Sequence, residues 1–189
     1  DVSKLALTVP IVEGEVAFSL TSRLALRNGA PFNEFLVEMG IPLAKLLTGR
    51  ESALTRLANI SGADFNMLRY ATPRELHQGQ WWFRGEPLSA DAFRSTVIRG
   101  CPACLNEDVL GEPGRGFIRG IWMLELVRTC PHHGIPLDPL WTRYDRHERH
   151  DVALRLAEYF HGEAAPARMG RSTTAYDSWV HRRLSEERR

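Results

Sequence analysis

Two short Cys/His pairs constrain the fold of this chain more than any other feature. Cys101-Pro-Ala-Cys104 and Cys130-Pro-His-His133 share a two-residue spacing, and 25 residues separate them. A C-x-x-C turn presents two ligands to one metal ion, and zinc takes four such ligands at tetrahedral corners. We therefore expect one zinc ion, held by Cys101, Cys104, Cys130 and His133.

The choice of ligands leaves alternatives open. His133 repeats the spacing of the first pair, whereas His132 is one residue closer to Cys130 and is the fallback ligand. A redox C-x-x-C pair or buried, unligated cysteines are the competing interpretations, but a redox pair belongs in a thioredoxin-like β-α-β context. Neither accounts for a second pair at matching spacing. Four protein ligands leave no coordination position for water, so the zinc is expected to be structural.

An acidic pair near the first ligands raises a further interpretation. Glu107 and Asp108, together with His132, are the residue types of a metal-dependent nuclease of the ββα-metal kind. Such an acidic pair is more often a solvated turn, and the chain has no glycine-rich phosphate loop and no serine or cysteine nucleophile pattern. We therefore expect no catalytic residues, and a protein that is not an enzyme.

The segments around the two pairs predict a small zinc ribbon. Residues 117–129 are rich in β-branched and aromatic side chains with partial alternation, which predicts a strand leading into the second pair. Before the first pair, Trp81, Trp82 and Phe83 form an aromatic run. They are either a platform for stacked bases or the apolar core that a small zinc module lacks, and the core is favoured.

The N-terminal part predicts a compact set of short helices over residues 16–75. Apolar positions recur at helical spacing, one helix is expected to end at Asn28, and a second ends before Gly40. Thr48 and Thr72 each precede a glutamate by three residues, which predicts capping boxes at two further helix starts.

Within these helices, one stretch has the spacing of a helix-turn-helix. Ala58, Gly62 and Leu68 stand where two helices touch, where the turn is tight and where the second helix is anchored, and Ser61 and Asp64 are expected to cap that second helix. An ordinary helical hairpin is the alternative, and the exposed surface suits a protein partner as well as DNA. The residues expected to face DNA or a partner are Asn66, Met67, Arg69 and Tyr70.

Composition limits the remaining function classes. The chain has 189 residues, 43% of them hydrophobic and 25% charged, with a net charge of +1. This is the profile of a folded protein without a bulk electrostatic footprint for DNA, so nucleic-acid binding has to come from local patches. Neither a membrane span nor a leader is predicted, and we expect a cytoplasmic protein.

The pattern predicts an α+β fold that is mainly α-helical, divided into three parts. Residues 1–78 are expected to form a helix-turn-helix-like helical module and residues 79–141 a zinc-ribbon module. Residues 142–189 are expected to form a C-terminal helical segment, because apolar residues recur there at helical spacing.

Taken together, these residues resemble the TniQ family, which includes the TnsD-type target selectors of bacterial transposons. The similar elements are PIVEGEVAFSLTSRLALRNG, FLVEMGI, LANISG, RGCPACLNED and WMLELVRTCPHHGIPL, in that order along residues 10–140. The last two are the most specific, because the Cys-Pro turns, the acidic pair and the His-Gly-x-Pro-Leu tail occur together.

The resemblance implies a non-catalytic adaptor for target-site selection in transposition. Family members recognise an attachment DNA directly or join an RNA-guided Cascade-type complex, and they recruit an AAA+ ATPase of the TnsC/TniB kind that brings in the transposase. Among functional residues, the resemblance carries over only the four zinc ligands. The alternative from another class is a zinc-stabilised helix-turn-helix DNA-binding regulator, and a metal-dependent nuclease comes third.

Overall fold

The computed structural model describes residues 4–77, 79–93, 96–111, 116–142, 145–161 and 173–185. Within these ranges the protein is mainly α-helical, with two small antiparallel sheets, which confirms the predicted α+β class. None of the helices in these ranges is both long enough and apolar enough to cross a membrane.

The N-terminal part is a helical bundle. Its helices are α1 (Ala17–Arg27), α2 (Phe32–Glu38), α3 (Leu43–Leu47), α4 (Glu51–Ser61) and α5 (Phe65–Ala71). As predicted, α1 ends at Asn28, whose side-chain amide donates to the Leu24 carbonyl over 2.8 Å. The apolar positions point inward because they recur at helical spacing. The side chains buried between these helices include Leu20, Leu24, Phe35, Leu46, Leu54, Leu57 and Leu68.

Helices α4 and α5 form the predicted helix-turn-helix-like unit. Gly62 ends α4 in the left-handed region at φ 73°, which a glycine adopts without steric cost. The carboxylate of Asp64 caps α5 by accepting from the Met67 amide over 2.9 Å. The hydroxyl of Ser61 instead donates to the Leu57 carbonyl, so only one of the two predicted caps acts on α5.

The two predicted capping boxes are wrong. Thr48 lies at the C-terminal end of α3, where its hydroxyl donates to the Ala44 carbonyl, and α4 begins after Arg50 without a side-chain cap. Thr72 ends α5, and its hydroxyl accepts from the Ala17 amide over 3.1 Å. A threonine three residues before a glutamate therefore satisfies other backbone groups here, because tertiary contacts decide where each helix starts.

A three-stranded antiparallel sheet follows α5. Its strands are β1 (Arg74–Glu75), β2 (Gln80–Phe83) and β3 (Glu86–Ser89), in that order. Strands β2 and β3 are joined by a two-residue turn in which Arg84 and Gly85 have φ of 49° and 81°, the pattern of a tight hairpin turn. Phe83 is buried in the core as favoured, whereas Trp81 and Trp82 are half-buried.

A second sheet frames the Cys/His pairs. Strand β4 (Val97–Gly100) leads into Cys101 and pairs antiparallel with β5 (Asp138–Thr142), which follows the second pair. Between them, α6 (Pro102–Gly111) begins directly after Cys101. This two-stranded sheet supplies the strand part of a ribbon-like module.

The prediction of a strand over residues 117–129 is wrong. The segment contains a 3-10 turn at Gly120–Met123 and takes part only in isolated bridges, Glu15 with Arg119 and Thr129 with Pro136. Ile121 and Trp122 are both buried although they are adjacent, so the segment is enclosed on more than one side. Its apolar and β-branched composition reflects this burial and not strand pairing.

The C-terminal part contains α7 (Arg146–His150), α8 (Val152–His161) and α9 (Ala175–Ser185). Helix α8 packs against α1 through a small polar joint. The Ser22 hydroxyl donates to the Asp151 carboxylate over 2.7 Å and accepts from the Ala153 amide over 2.9 Å. Because the hydroxyl is almost fully buried, both bonds form away from solvent.

The buried side chains form one cluster that extends from α1 to α9. The Val16 amide donates to the Ile118 carbonyl over 3.1 Å, and Gly120 lies so close to α5 that an added Cβ would overlap the Ala71 carbonyl oxygen. The helical module therefore touches the segment between the two Cys/His pairs. The division into residues 1–78, 79–141 and 142–189 concerns which parts unfold together, and it stays a prediction.

Candidate metal centre

Three elements bring the four expected ligands together. Cys101 follows β4, Cys104 lies in the first turn of α6, and Cys130 and His133 lie in a tight turn before β5. Their Sγ atoms and the His133 Nδ1 atom are all within 4.8 Å of one another. The three cysteines are buried, free thiols, and His133 is partly exposed. The sequence pairs therefore converge on one point in space.

The distances fit tetrahedral zinc. Three thiolates and one imidazole at normal Zn–S and Zn–N lengths would stand about 3.5–3.8 Å apart. Cys104 Sγ lies 3.5 Å from Cys130 Sγ, and His133 Nδ1 lies 3.5 Å from Cys101 Sγ, 3.2 Å from Cys104 Sγ and 3.8 Å from Cys130 Sγ. Four ligands of this chemistry at these separations match a Cys3His structural site.

The turn around Cys130 orients the second pair. The Gly134 amide donates to the Cys130 carbonyl over 2.8 Å, and the Cys130 amide donates to the Ile135 carbonyl over 2.7 Å. Gly134 has φ 66°, a conformation that glycine adopts at low cost. The His133 amide points at the Cys130 sulfur over 3.5 Å, as backbone amides do when they stabilise a thiolate. The Cys-Pro-His-His-Gly sequence thus encodes its own turn.

Glu107 supports the histidine from outside the cluster. Its Oε1 lies 3.0 Å from His133 Nε2, and the other ring nitrogen, Nδ1, faces the three sulfurs. A carboxylate that accepts from the distal N–H of a metal-binding imidazole fixes both its tautomer and its orientation. His132, the fallback ligand, is exposed, lies edge-on to the His133 ring and is not one of the four clustered residues.

Hydrogen bonds among the thiols shift their pKa values in opposite directions. Contacts with Cys101 and Cys104 lower the pKa of Cys130, whereas contacts with Cys101 and Cys130 raise that of Cys104. Burial lowers the pKa of His133, but its hydrogen bonds with Cys130 and Glu107 raise it overall. Hydrogen bonds among the three thiols therefore favour a thiolate within the cluster, and a thiolate is the form that binds zinc.

The acidic pair is neither a turn nor a free pair of carboxylates. Both residues lie on α6, where Asp108 accepts two hydrogen bonds from Arg119, over 2.9 and 3.0 Å, while Glu107 faces His133. Asp108 therefore joins α6 to the segment between the ligand pairs. The prediction of a solvated turn was wrong because helix formation after Cys101 places the two carboxylates on different neighbours.

The helix-turn-helix surface lies apart from this cluster. On α5, Asn66, Met67 and Arg69 are exposed, and Tyr70 is half-buried. Across from them lie Arg74, Trp82 and Arg84, which line a cleft of about 570 Å³ together with the α5 residues. Trp82 belongs to the aromatic run recognised in the sequence, whereas the sequence did not point to Arg74 and Arg84. No local sequence pattern identifies such a cleft, because it forms only when the β2–β3 hairpin folds beside α5.

Comparison with protein families decides which family carries this combination. Residues 6–137 match the model of the TniQ family, and this range contains both the helix-turn-helix-like unit and the Cys3His cluster. The chain belongs to the TniQ family. TniQ proteins are bacterial, and the family is associated with target selection in transposition as a non-catalytic adaptor. Among curated proteins, none matches the chain.

Proposed function

We propose that this TniQ protein is a non-catalytic adaptor for target-site selection in transposition. It binds target DNA or a targeting complex and recruits an AAA+ ATPase of the TnsC/TniB kind. The observation that supports this role is the family match over residues 6–137, which includes the helix-turn-helix-like unit and the Cys3His cluster. Asn66, Arg69 and Tyr70 are the candidates for contact with DNA or a partner.

The adaptor function needs a folded Cys3His unit, and a bound zinc ion would stabilise that unit. We infer that Cys101, Cys104, Cys130 and His133 hold one structural Zn2+. The zinc would hold the start of α6 against the turn before β5, and the Asp108–Arg119 pair separately joins α6 to the segment between the ligand pairs. Freshly purified, unchelated protein should contain about one zinc per chain. If elemental analysis detects no zinc in this protein, the proposed zinc site is wrong.

Recovery of the ATPase tests the adaptor role. The full chain is used as bait in native lysate, beside two baits with exposed arginines replaced, Arg69→Ala on α5 and Arg27→Ala on α1. Wild-type bait and the Arg27→Ala control should recover an AAA+ ATPase identified by mass spectrometry. Recovery of transposition proteins without any AAA+ ATPase would contradict recruitment.

A DNA-binding regulator is the second candidate function, because α5 is capped by Asp64 and its exposed face carries Asn66 and Arg69. A regulator would bind one duplex sequence by itself, with an affinity that falls steeply as salt rises. Selection from a random duplex library followed by titration at two salt concentrations separates the candidates. The adaptor role predicts weak duplex binding by the isolated chain and recovery of the ATPase.

A further inference from the structure

A cleft of about 570 Å³ separates α5 from the β2–β3 hairpin. One wall is α5, with Asn66, Arg69 and Tyr70, and the other is the sheet, with Arg74, Trp82 and Arg84. Three of these six side chains are guanidinium groups, and Glu13 is the acidic residue among those that line the cleft. The cleft therefore has an excess of positive charge within a protein whose net charge is only +1.

The arginines of the sheet wall are incompletely satisfied. In the part of the chain that the structure describes, the Nε atoms of Arg74 and Arg84 are buried without a hydrogen-bond partner. Burial is the main cause that lowers the pKa of both residues, and the positive charge of Arg69 lowers that of Arg74 further. Arginines that are held close together and have unpaired N–H donors favour the binding of an anion, which accepts hydrogen bonds from them.

Arg84 lines the cleft and has an unusual backbone conformation. It has φ 49° in the hairpin turn, which disfavours residues other than glycine and asparagine by roughly 1 kcal/mol. Its guanidinium lies over the Tyr70 ring, 5.2 Å from the centroid, and its NH1 donates to the Leu184 carbonyl over 3.4 Å. The residue that contacts α5 through its guanidinium therefore also has an unfavourable backbone conformation.

Trp82 adds an aromatic surface to the charged wall. It is half-buried and lines the cleft, and its neighbour across β1 and β2 is Arg74. In proteins that bind single-stranded nucleic acid, arginines bind the phosphates and an accessible aromatic ring stacks on a base. A base paired inside a duplex cannot reach such a ring, whereas an unpaired base can.

We propose that the cleft between α5 and the β2–β3 hairpin binds a single-stranded segment of nucleic acid. Arg69, Arg74 and Arg84 bind its phosphates, and Trp82 stacks on one base. Asn66, at the edge of the cleft, offers an amide that can donate to and accept from a base edge. The site deepens the proposed adaptor function, on which it rests, because it names the feature of the targeting complex that the chain contacts.

Binding is tested with fluorescein-labelled homopolymers, oligo(dT) and oligo(U) of about 12 nucleotides, measured by anisotropy with the full chain. The same sequence as a duplex and the corresponding mononucleotide are the comparison ligands. The single strands should bind more tightly than both. Contacts with two to three phosphates predict that log K falls with log salt at a slope of about −1.4 to −2.

Three variants, with a fourth as the control, assign the binding to the cleft. Arg69→Gln should reduce the salt slope by about 0.7, since one phosphate contact is lost. Trp82→Leu should weaken binding about fivefold or more, and Trp82→Phe should restore most of it. Arg27→Gln removes another exposed charge, on α1, and should change neither slope nor affinity. Thermal melts of the four variants and the wild type verify folding.

Several outcomes would overturn the proposal. These are tighter binding of the duplex, binding of the mononucleotide with equal affinity, or equal loss of affinity in Arg27→Gln and Arg69→Gln. Recovery of the ATPase without single-strand binding would reject this site and leave the adaptor function standing. Single-strand binding without the ATPase would reject recruitment and leave the site.

Discussion

Glu15 and Arg23 form an ion pair inside the protein, with 2.7 Å between the carboxylate Oε2 and the guanidinium NH1. Their side chains are 0% and 4% exposed. The carboxylate also accepts from the Ser19 hydroxyl and the Val12 amide, and the pair joins the segment before α1 to the helix itself. Desolvation raises the pKa of Glu15, and the charge and hydrogen bond of Arg23 oppose that rise.

Arg23→Met should destabilise the protein by about 3–5 kcal/mol, because it leaves a buried carboxylate without its counter-charge. The double variant Glu15→Gln/Arg23→Met should recover part of this loss, since no charge is then buried. Urea denaturation of the two variants and the wild type measures the difference. Equal stability of the single and double variants would show that the lost packing of Arg23 dominates.

Acid should destabilise the protein through His150. Burial is the main cause that lowers its pKa to about 4, assisted by the nearby charges of Arg149 and Arg146, while its hydrogen bond with the Arg146 carbonyl opposes the shift. A histidine with a lowered folded pKa contributes stability that is complete above its unfolded pKa near 6.5. This contribution is lost as pH falls from about 6.5 towards 4, and it amounts to roughly 3 kcal/mol.

His150→Phe should therefore reduce the loss of stability between pH 6.5 and 4, because phenylalanine has no proton to bind and can keep the edge contact with Phe18. Denaturant midpoints across this range provide the measurement. His161→Gln replaces an exposed histidine and serves as the control. A variant whose midpoint follows the wild type at every pH would assign the acid sensitivity to other groups.

Glu107→Gln should weaken zinc binding by about tenfold, the lower end of the range for outer carboxylates, because Glu107 is 58% exposed. Glutamine keeps the hydrogen bond to His133 Nε2 but removes the negative charge that strengthens the imidazole as a ligand. Competition with a chromophoric chelator gives the affinity. Glu34→Gln, an exposed glutamate on α2, is the matched control.

Removal of the metal tests the predicted division of the chain. A structural zinc contributes roughly 10–16 kcal/mol, comparable to the whole stability of a domain of about 5–15 kcal/mol. Cys104→Ser or a strong chelator should expose residues near 81–140 to protease. A helical fragment near 10–75 should persist, because α1 to α5 have a core of their own that includes Leu24, Leu54 and Leu68.

Limited proteolysis with mass spectrometry identifies the surviving fragment, and circular dichroism follows the helices. Loss of all helical signal in one transition would mean that contacts such as Val16 with Ile118 make the parts unfold together. The predicted boundaries at 78 and 141 would then be wrong.

Local signals explain what the sequence could predict. Gly62 and Asp64 specify the turn between α4 and α5 through their own backbone and side chains, so the helix-turn-helix shape could be recognised. The spacing of Cys101 and Cys104 likewise specifies a turn that presents two sulfurs. Both signals act within a few residues. The structure shows the turn between α4 and α5, and it places the sulfurs of Cys101 and Cys104 in one cluster.

What depends on distant contacts was missed. Residues 117–129 look like a strand by composition, but their apolar side chains are buried against α1 and the neighbouring sheets. Thr72 was expected to cap a helix, whereas it accepts from the Ala17 amide 55 residues away. The cleft between Arg69 and Trp82 exists only after the hairpin has folded beside α5.

The missing side chain of Gly120 has a consequence for anyone who recombines TniQ proteins. Because its α-carbon approaches the Ala71 carbonyl at the end of α5, the two backbones meet with no adjustable side chain of Gly120 between them. In a chimera that exchanges the N-terminal helices but keeps the native 116–122 segment, the backbone contact between Gly120 and the end of α5 is made by chains from two different proteins. A crossover that takes residues 116–122 from the same donor as the helices preserves this contact. These seven residues should therefore be exchanged together with the helices that they touch, and not with the cysteines that flank them in the sequence.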